Sequence, residues 1–303
     1  MVAMRVATFA QSNTMIADAL RVQAVMANEQ IQESSGVISN DFGGYGSTAQ
    51  HVVNLQVSVT RAQSYIDAAT LADSKVQVMY SAVGSMTDII TQLRSQLSAA
   101  STGSSTEGNS VISSAQQMLE EMGSLLNTQY DGQFVFAGGK TETAPVDLTS
   151  FSAGTGSTTT ADTSYYVGDS EIASVRVATD QSVPYGVTAD NSAFEEVMRV
   201  LKFVANSSSL SSSDITSALD LASSALDDTA AVQAKLSSSA SQIETASARQ
   251  SDYKSYAETL GSDLTSVDVA AVTAQLSTYQ SQLTASYSAL AKILSMNLAS
   301  YLK

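Results

Sequence analysis

From Val52 to Leu97, apolar residues recur in alternating steps of three and four with no proline among them. The row runs Val52, Leu55, Val59, Ala62, Ile66, Ala69, Asp73, Val76, Tyr80, Val83, Thr87, Ile90, Arg94 and Leu97. Only Asp73, Thr87 and Arg94 break its apolar character. The spacing predicts one uninterrupted helix, about 70 Å long at roughly 1.5 Å per residue. A seam of that length cannot be buried inside an ordinary compact domain, so other long helices must lie along it. Asp73 and Arg94 either fix the register of that pairing or mark places where water reaches it.

The two ends of the chain supply the partners. Phe9, Met15, Ile16, Leu20, Val22 and Met26 mark a broad apolar face from about residue 5 to 34, stopped by Gly36. Asn40–Gly46 then reads as an ordered loop, with Ser47 or Thr48 placed to cap the next helix. At the other end Leu276, Tyr279, Leu283, Ser286, Leu290, Ile293 and Asn297 keep the same spacing. Tyr287, Leu294 and Tyr301 flank that row and widen the face. The final turns, Ser295–Lys303, stay apolar through Leu298, where most chains end in a polar tail. Between these lie helical stretches marked by Val111, Ala115, Met118, Met122 and Leu125, by Phe194, Val197, Leu201 and Val204, and by Ile215–Leu264.

The middle is of another kind. Phe134–Ala137, Tyr165–Val167 and the alternation from Ile172 to Val177 read as strands, and Gly154–Thr163 as a polar loop. The expected fold class is therefore mainly α: a long antiparallel helical bundle or coiled coil formed by the two terminal arms, with an inserted β-rich outer domain. The expected divisions are an N-terminal arm over 1–133, the insert over 134–205 and a C-terminal arm over 206–303.

Charge follows the same division. The formal charge is -15, and most of the acidic excess lies between residues 101 and 200, leaving the two ends nearly neutral. Charged residues are only 14% of the chain, against roughly 25% in ordinary soluble proteins. A surface of Ser, Thr, Gln and Ala costs little to desolvate against another protein, which suits a subunit whose sides are covered by copies of itself. The acidic balance is the opposite of what DNA or RNA requires. Cysteine is absent, which removes disulfides, thiol nucleophiles and Cys-based metal sites. The first residues lack the apolar run of a cleaved leader, and no stretch reaches the roughly 20 apolar residues of a membrane span.

A search for catalytic chemistry yields little. His51 is the only histidine and reads as structural or exposed. Gly43–Gly46 and Gly138-Gly139-Lys140-Thr141 lack the spacing of a phosphate-binding loop and read as turns. Glu120-Glu121, Glu195-Glu196 and Asp227-Asp228 point about 100° apart on helices, so they do not converge on one ligand. No catalytic, cofactor-binding or metal-ligating residue is expected, and the chain reads as a non-enzymatic building block.

Several segments together resemble the bacterial flagellins and the flagellar hook-associated proteins of the hook–filament junction. Met4-Arg5-Val6 followed by a Gln- and Ala-rich amphipathic helix is similar to that family's start. Gln30-Ile31-Gln32-Glu33-Ser34-Ser35-Gly36 resembles its Q-I-x-S-S-G segment. Tyr130–Thr141 resembles the G-x-Y/F-x-F-x-G-x-x-T element at the entry to the outer domain. Val267-Asp268-Val269-Ala270 and Ser295–Leu302 resemble its C-terminal helix, with an S-L-x-x-Y-L type of ending. Ser39–Gly46 departs from the usual S-x-x-D-D-P-A loop, keeping Asp41 and the glycines. The N-x-x-P-Q-x-V-L tail of flagellins proper is missing, which favours the junction protein over the bulk filament subunit.

The resemblance implies a secreted structural subunit of the flagellum, exported by the type III route with a cytoplasmic chaperone on its C-terminal helix. It implies terminal helices that order as they enter a tubular wall, beside further copies and neighbouring axial proteins (hook-associated protein and flagellin). The insert would face outward. The residues expected to form the assembly seam are Phe9, Ile16, Leu20, Leu276, Tyr279, Leu283, Leu290, Ile293 and Leu298.

Overall fold

The computed structural model describes residues 2–102, 105–149, 151 and 156–295. Its long elements are helices: α1 (Val2–Ser35), α2 (Ala49–Thr102), α3 (Ser105–Leu126), α4 (Ser192–Ala205), α5 (Ser212–Thr265) and α6 (Val269–Ser295). Two short hairpins lie between α3 and α4, one of β1 (Gln129–Tyr130) with β2 (Gln133–Phe134), the other of β3 (Ser174–Ala178) with β4 (Gln181–Pro184). The chain divides into two compact units, Met1–Thr60 with Lys254–Lys303, and Arg61–Tyr253. Both α2 and α5 contribute to each.

In the second unit α2 and α5 pack along a heptad seam. From α2 it takes Ala69, Ala72, Val76, Met79, Val83, Met86, Ile90, Leu93 and Leu97, all buried. α5 answers mainly with small residues, Ala218, Ala222, Ala225, Thr229, Val232, Leu236, Ser239, Ile243 and Ala246. Alanines let the two backbones approach, and the methionines and leucines of α2 fill what space remains. Thr229 is buried without penalty because its hydroxyl donates to the Ala225 carbonyl at 2.6 Å.

This seam corrects one row of the sequence reading. Ala62, Ala69, Val76, Val83, Ile90 and Leu97 are buried as expected. The companion row, however, is Ala72, Met79, Met86, Leu93 and Ala100, one residue earlier than Asp73, Tyr80, Thr87 and Arg94. Tyr80 is exposed, and Asp73, Thr87 and Arg94 are half-buried beside the seam. Asp73 and Arg94 therefore interrupt nothing. The true companion row is apolar throughout, and that continuity was the available signal.

The expected β-rich insert is also corrected. The strand content of this region is two small hairpins, and the rest is irregular chain folded over α3 and α4. The β1–β2 turn, Asp131-Gly132, has positive φ at both positions, as a type I′ connection requires. Beyond Phe134 one more hydrogen bond, Val135 N–H to Thr128 O at 3.1 Å, closes the hairpin. Val135, Phe136 and Ala137 turn inward, with Phe136 edge-on to Phe194 of α4 at 5.8 Å between ring centres. Tyr165 likewise sits against Phe151 and donates its hydroxyl to the Ala189 carbonyl at 2.9 Å. Only Tyr166 makes a bridge, to Val146. Aromatic and β-branched residues read as strand because they suit any half-buried surface, and here the surface is a helix.

α4 is buried on nearly all sides, including its charges. Glu195 and Lys202 are 3% and 7% exposed. Arg199 bridges Glu195 at 3.1 Å and donates to the Thr158 carbonyl at 2.7 Å. Glu195 accepts the Asp162 N–H at 2.7 Å, and Lys202 pairs with the Asp162 carboxylate. Each buried charge thus has a partner, and together they hold the 156–164 chain against the helix.

Candidate functional site

In the first unit α1 and α6 form an antiparallel pair. α6 presents Val272, Leu276, Tyr279, Leu283, Ser286, Leu290 and Ile293 at steps of four and three, the first two buried and the others half-buried. α1 presents Met15, Ala19, Val22, Met26, Glu29 and Glu33 at the same spacing, with Ala19 buried and the rest half-buried. At the root of the pair the Thr273 hydroxyl lies 2.8 Å from the Glu33 carboxylate.

The sequence-derived seam residues thus fall on two surfaces. Leu276, Tyr279, Leu283, Leu290 and Ile293 meet α1 within the chain. Ile16 and Leu20 lie one residue beyond the inner row and face outward, 43% and 59% exposed. Ile31, at 47%, continues them, with the exposed Ala24 and Ala27 between. Phe9 lies on α1, but its side chain is outside the described residues, as is Leu298. The exposed face of α1 thus carries a continuous stripe of Ile, Leu and Ala beside the face paired with α6.

The root of the pair is built from residues quoted above for their family resemblance. Gly36 ends α1 in the left-handed region, φ 71°, and returns its N–H to the Gln32 carbonyl at 2.8 Å. Ile38 N–H donates to Thr265 O at 2.8 Å, and Val267 N–H to Gly36 O at 3.0 Å. Val37 and Ser266 are thereby bridged antiparallel. Asp268 caps α6, its carboxylate accepting from the N–H groups of Ala270 and Ala271.

The adjoining loop, expected to be ordered, contains a 3-10 turn over Phe42–Thr48. Thr48 does not cap α2; its hydroxyl donates back to the Tyr45 carbonyl. Sequence reasoning missed the apolar groove beside this loop. Its volume is about 510 Å³, with Val37, Phe42, Tyr45, Val52, Leu55, Val59 and Ala257 among its lining.

Loop geometry also accounts for the glycine-rich motif in the other unit. The Gly139 N–H that would face a phosphate is held by the Asp169 carboxylate at 2.7 Å, and the Lys140 ammonium by the carbonyls of Val167 and Gly168. His51 is exposed at the start of α2. Among the described residues no cluster of acids and histidines could hold a metal ion, and no helix is long and apolar enough to cross a membrane.

Long helices paired in both units, with an apolar stripe exposed on α1, define a helical structural protein. Residues 6–141 match the bacterial flagellin N-terminal helical region, and residues 219–302 the bacterial flagellin C-terminal helical region. The chain belongs to the bacterial flagellin family and is a structural, non-enzymatic axial component of the extracellular flagellum.

Among solved structures, a putative flagellar hook-associated protein from Vibrio parahaemolyticus is similar, with a TM-score of 0.60 and 15% identity over 75% of this chain and 99% of that one. FlgL of Bacillus cereus aligns at 0.48 with 14% identity, covering 70% of this chain and 98% of that one. Flagellar hook associated protein-3 of Legionella pneumophila aligns at 0.45 with 15% identity, covering 71% and 97%. No curated protein sequence matches.

Proposed function

We propose that the chain is the subunit that joins the flagellar hook to the filament, and that it enters the wall through its terminal helices. The observation that carries the assembly role is the outward row Ile16, Leu20 and Ile31 on a helix whose neighbouring face is already paired. Isolated in water, such a row leaves about 25 cal/mol per Å² of apolar burial unrealised. Neighbouring copies and adjoining axial proteins, hook-associated protein on one side and flagellin on the other, would cover it.

In this reading Ile16 and Leu20 face neighbours, and Leu276, Tyr279, Leu283, Leu290 and Ile293 close the pair that presents them. The segment 134–205 faces outward, where its acidic surface favours solubility. Export by the type III route, with a chaperone on the C-terminal helix, fits a chain without cysteine.

The junction role is favoured by the likeness in fold to the Vibrio protein, 99% of whose length is covered. Bulk flagellin is the second reading, favoured by the flagellin description of both matched regions. Gold-labelled antibody on isolated flagella separates them. A short band between hook and shaft is expected; labelling along the whole shaft overturns the junction role.

A further inference from the structure

α1 carries two apolar stripes one residue apart. The inner one, with Met15, Ala19, Val22 and Met26, meets α6, and the outer one, with Ile16, Leu20 and Ile31, stays exposed. Adjacent helical residues differ by about 100° in direction, so a rotation of α1 by about that much or somewhat more would bring the outer stripe against α6 and turn the inner one away. Hydrophobic burial does not select the observed setting. Isoleucine and leucine gain at least as much from burial as methionine, valine and alanine, so transfer free energy alone would turn the outer stripe inward. Some other feature must hold the helix as it is.

The root of the pair supplies that feature. Gly36 stops α1 at one residue, in a conformation that suits glycine. Two backbone hydrogen bonds, Ile38 N–H to Thr265 O and Val267 N–H to Gly36 O, then tie the exit of α1 to the entry of α6. The Gln32 side chain reaches over the turn and donates to the Ile38 carbonyl at 2.9 Å. Turning α1 would break these bonds, which tie residues more than 200 positions apart. We infer that this clasp is the specificity-determining element of the assembly surface: it sets the rotation of α1 on α6, and so decides which apolar stripe is sealed within the chain and which is offered to neighbours. What the outer stripe is for rests on the assembly reading above; what the clasp does to the pair does not.

The absence of cysteine allows a direct test in the full chain. Met26→Cys with Tyr279→Cys reports the inner stripe, and Ala27→Cys with Tyr279→Cys the outer one. Under mild oxidation the inner pair is expected to cross-link faster by roughly tenfold, because Met26 and Tyr279 lie on the half-buried rows of α1 and α6 whereas Ala27 is exposed. Adding Ile38→Pro and Val267→Pro removes both N–H donors at positions outside helices, and the preference is expected to fall to near parity, a loss of roughly tenfold. Gln32→Ala, which spares the backbone, is expected to shift the ratio the same way by a smaller factor. An inner preference that survives both changes overturns the clasp. The assembly reading fails differently: Ile16→Asp with Leu20→Asp would enter flagella normally while the cross-linking ratio stayed intact.

Discussion

Lys202 on α4 reaches 40 residues back along the chain to set its ammonium 2.6 Å from the Asp162 carboxylate. Burial by itself would raise the Asp162 pKa, but hydrogen bonds from Lys202 and Ser164 outweigh it and hold the group at about 2. The pair, capped by the Phe151 ring 4.2 Å from the ammonium, ties an otherwise irregular segment to a buried helix.

Removing one partner should therefore cost stability in a pH-dependent way. Asp162→Asn leaves Lys202 charged and nearly buried, at a cost of about 1–2 kcal/mol once the partial exposure of Asp162 is allowed for. Because the folded pKa lies below the unfolded value, the ion pair's contribution is complete above about pH 5 and disappears as pH falls toward 2. Urea unfolding of both proteins across that range should show a gap at pH 7 that closes on acidification. A gap independent of pH would remove the ion pair as its cause.

The register of the α2 seam is tested by neighbours of opposite fate. Met86→Ala empties a fully buried site facing α5 and should cost about 2–5 kcal/mol. Thr87→Ala, one residue on and half-buried, should cost about 1 kcal/mol or less. Chemical denaturation reads both. Equal losses would mean that the seam runs through the later row after all.

Gly138 has φ 71° and lies against the Asp169 carboxylate and carbonyl. Gly138→Ala should strain the backbone and collide with Asp169, costing about 1–3 kcal/mol. The effect belongs in the melting of the unit Arg61–Tyr253, seen by calorimetry. Unchanged melting would show that the loop yields freely.

Deleting residues 276–303 removes most of α6, and with it the surface that pairs with α1. Incorporation into flagella should be lost. The unit Arg61–Tyr253, which holds the α2–α5 seam and the α4 core, should still unfold cooperatively. Normal incorporation of the truncated chain would sink the assembly proposal, and loss of the cooperative transition would show that the unit depends on α6.

How far the sequence alone could be read varies by element. α1 and α2 were legible because both lack proline and repeat apolar residues at helical spacing. Gly36 was legible as a stop, since glycine tolerates a left-handed end. The insert was not: Phe136, Tyr165 and Val175 carry strand-forming side chains, yet Phe136 packs on α4, Tyr165 packs on Phe151 in irregular chain, and only Val175 lies in a paired strand. On α1 the seam list placed Ile16 and Leu20 beside Leu276 and Leu283, whereas the fold sets them on different faces.

Local spacing, charge and the lack of proline in both terminal arms determined that this chain makes long helices with near-neutral ends. Those properties act over a few residues, so the order of amino acids suffices to fix them. Which stripe of α1 is left outside was decided by tertiary structure. The two stripes of α1 are close in hydrophobicity, and only contacts between residues far apart in the chain, such as Gly36 with Val267, can break the tie.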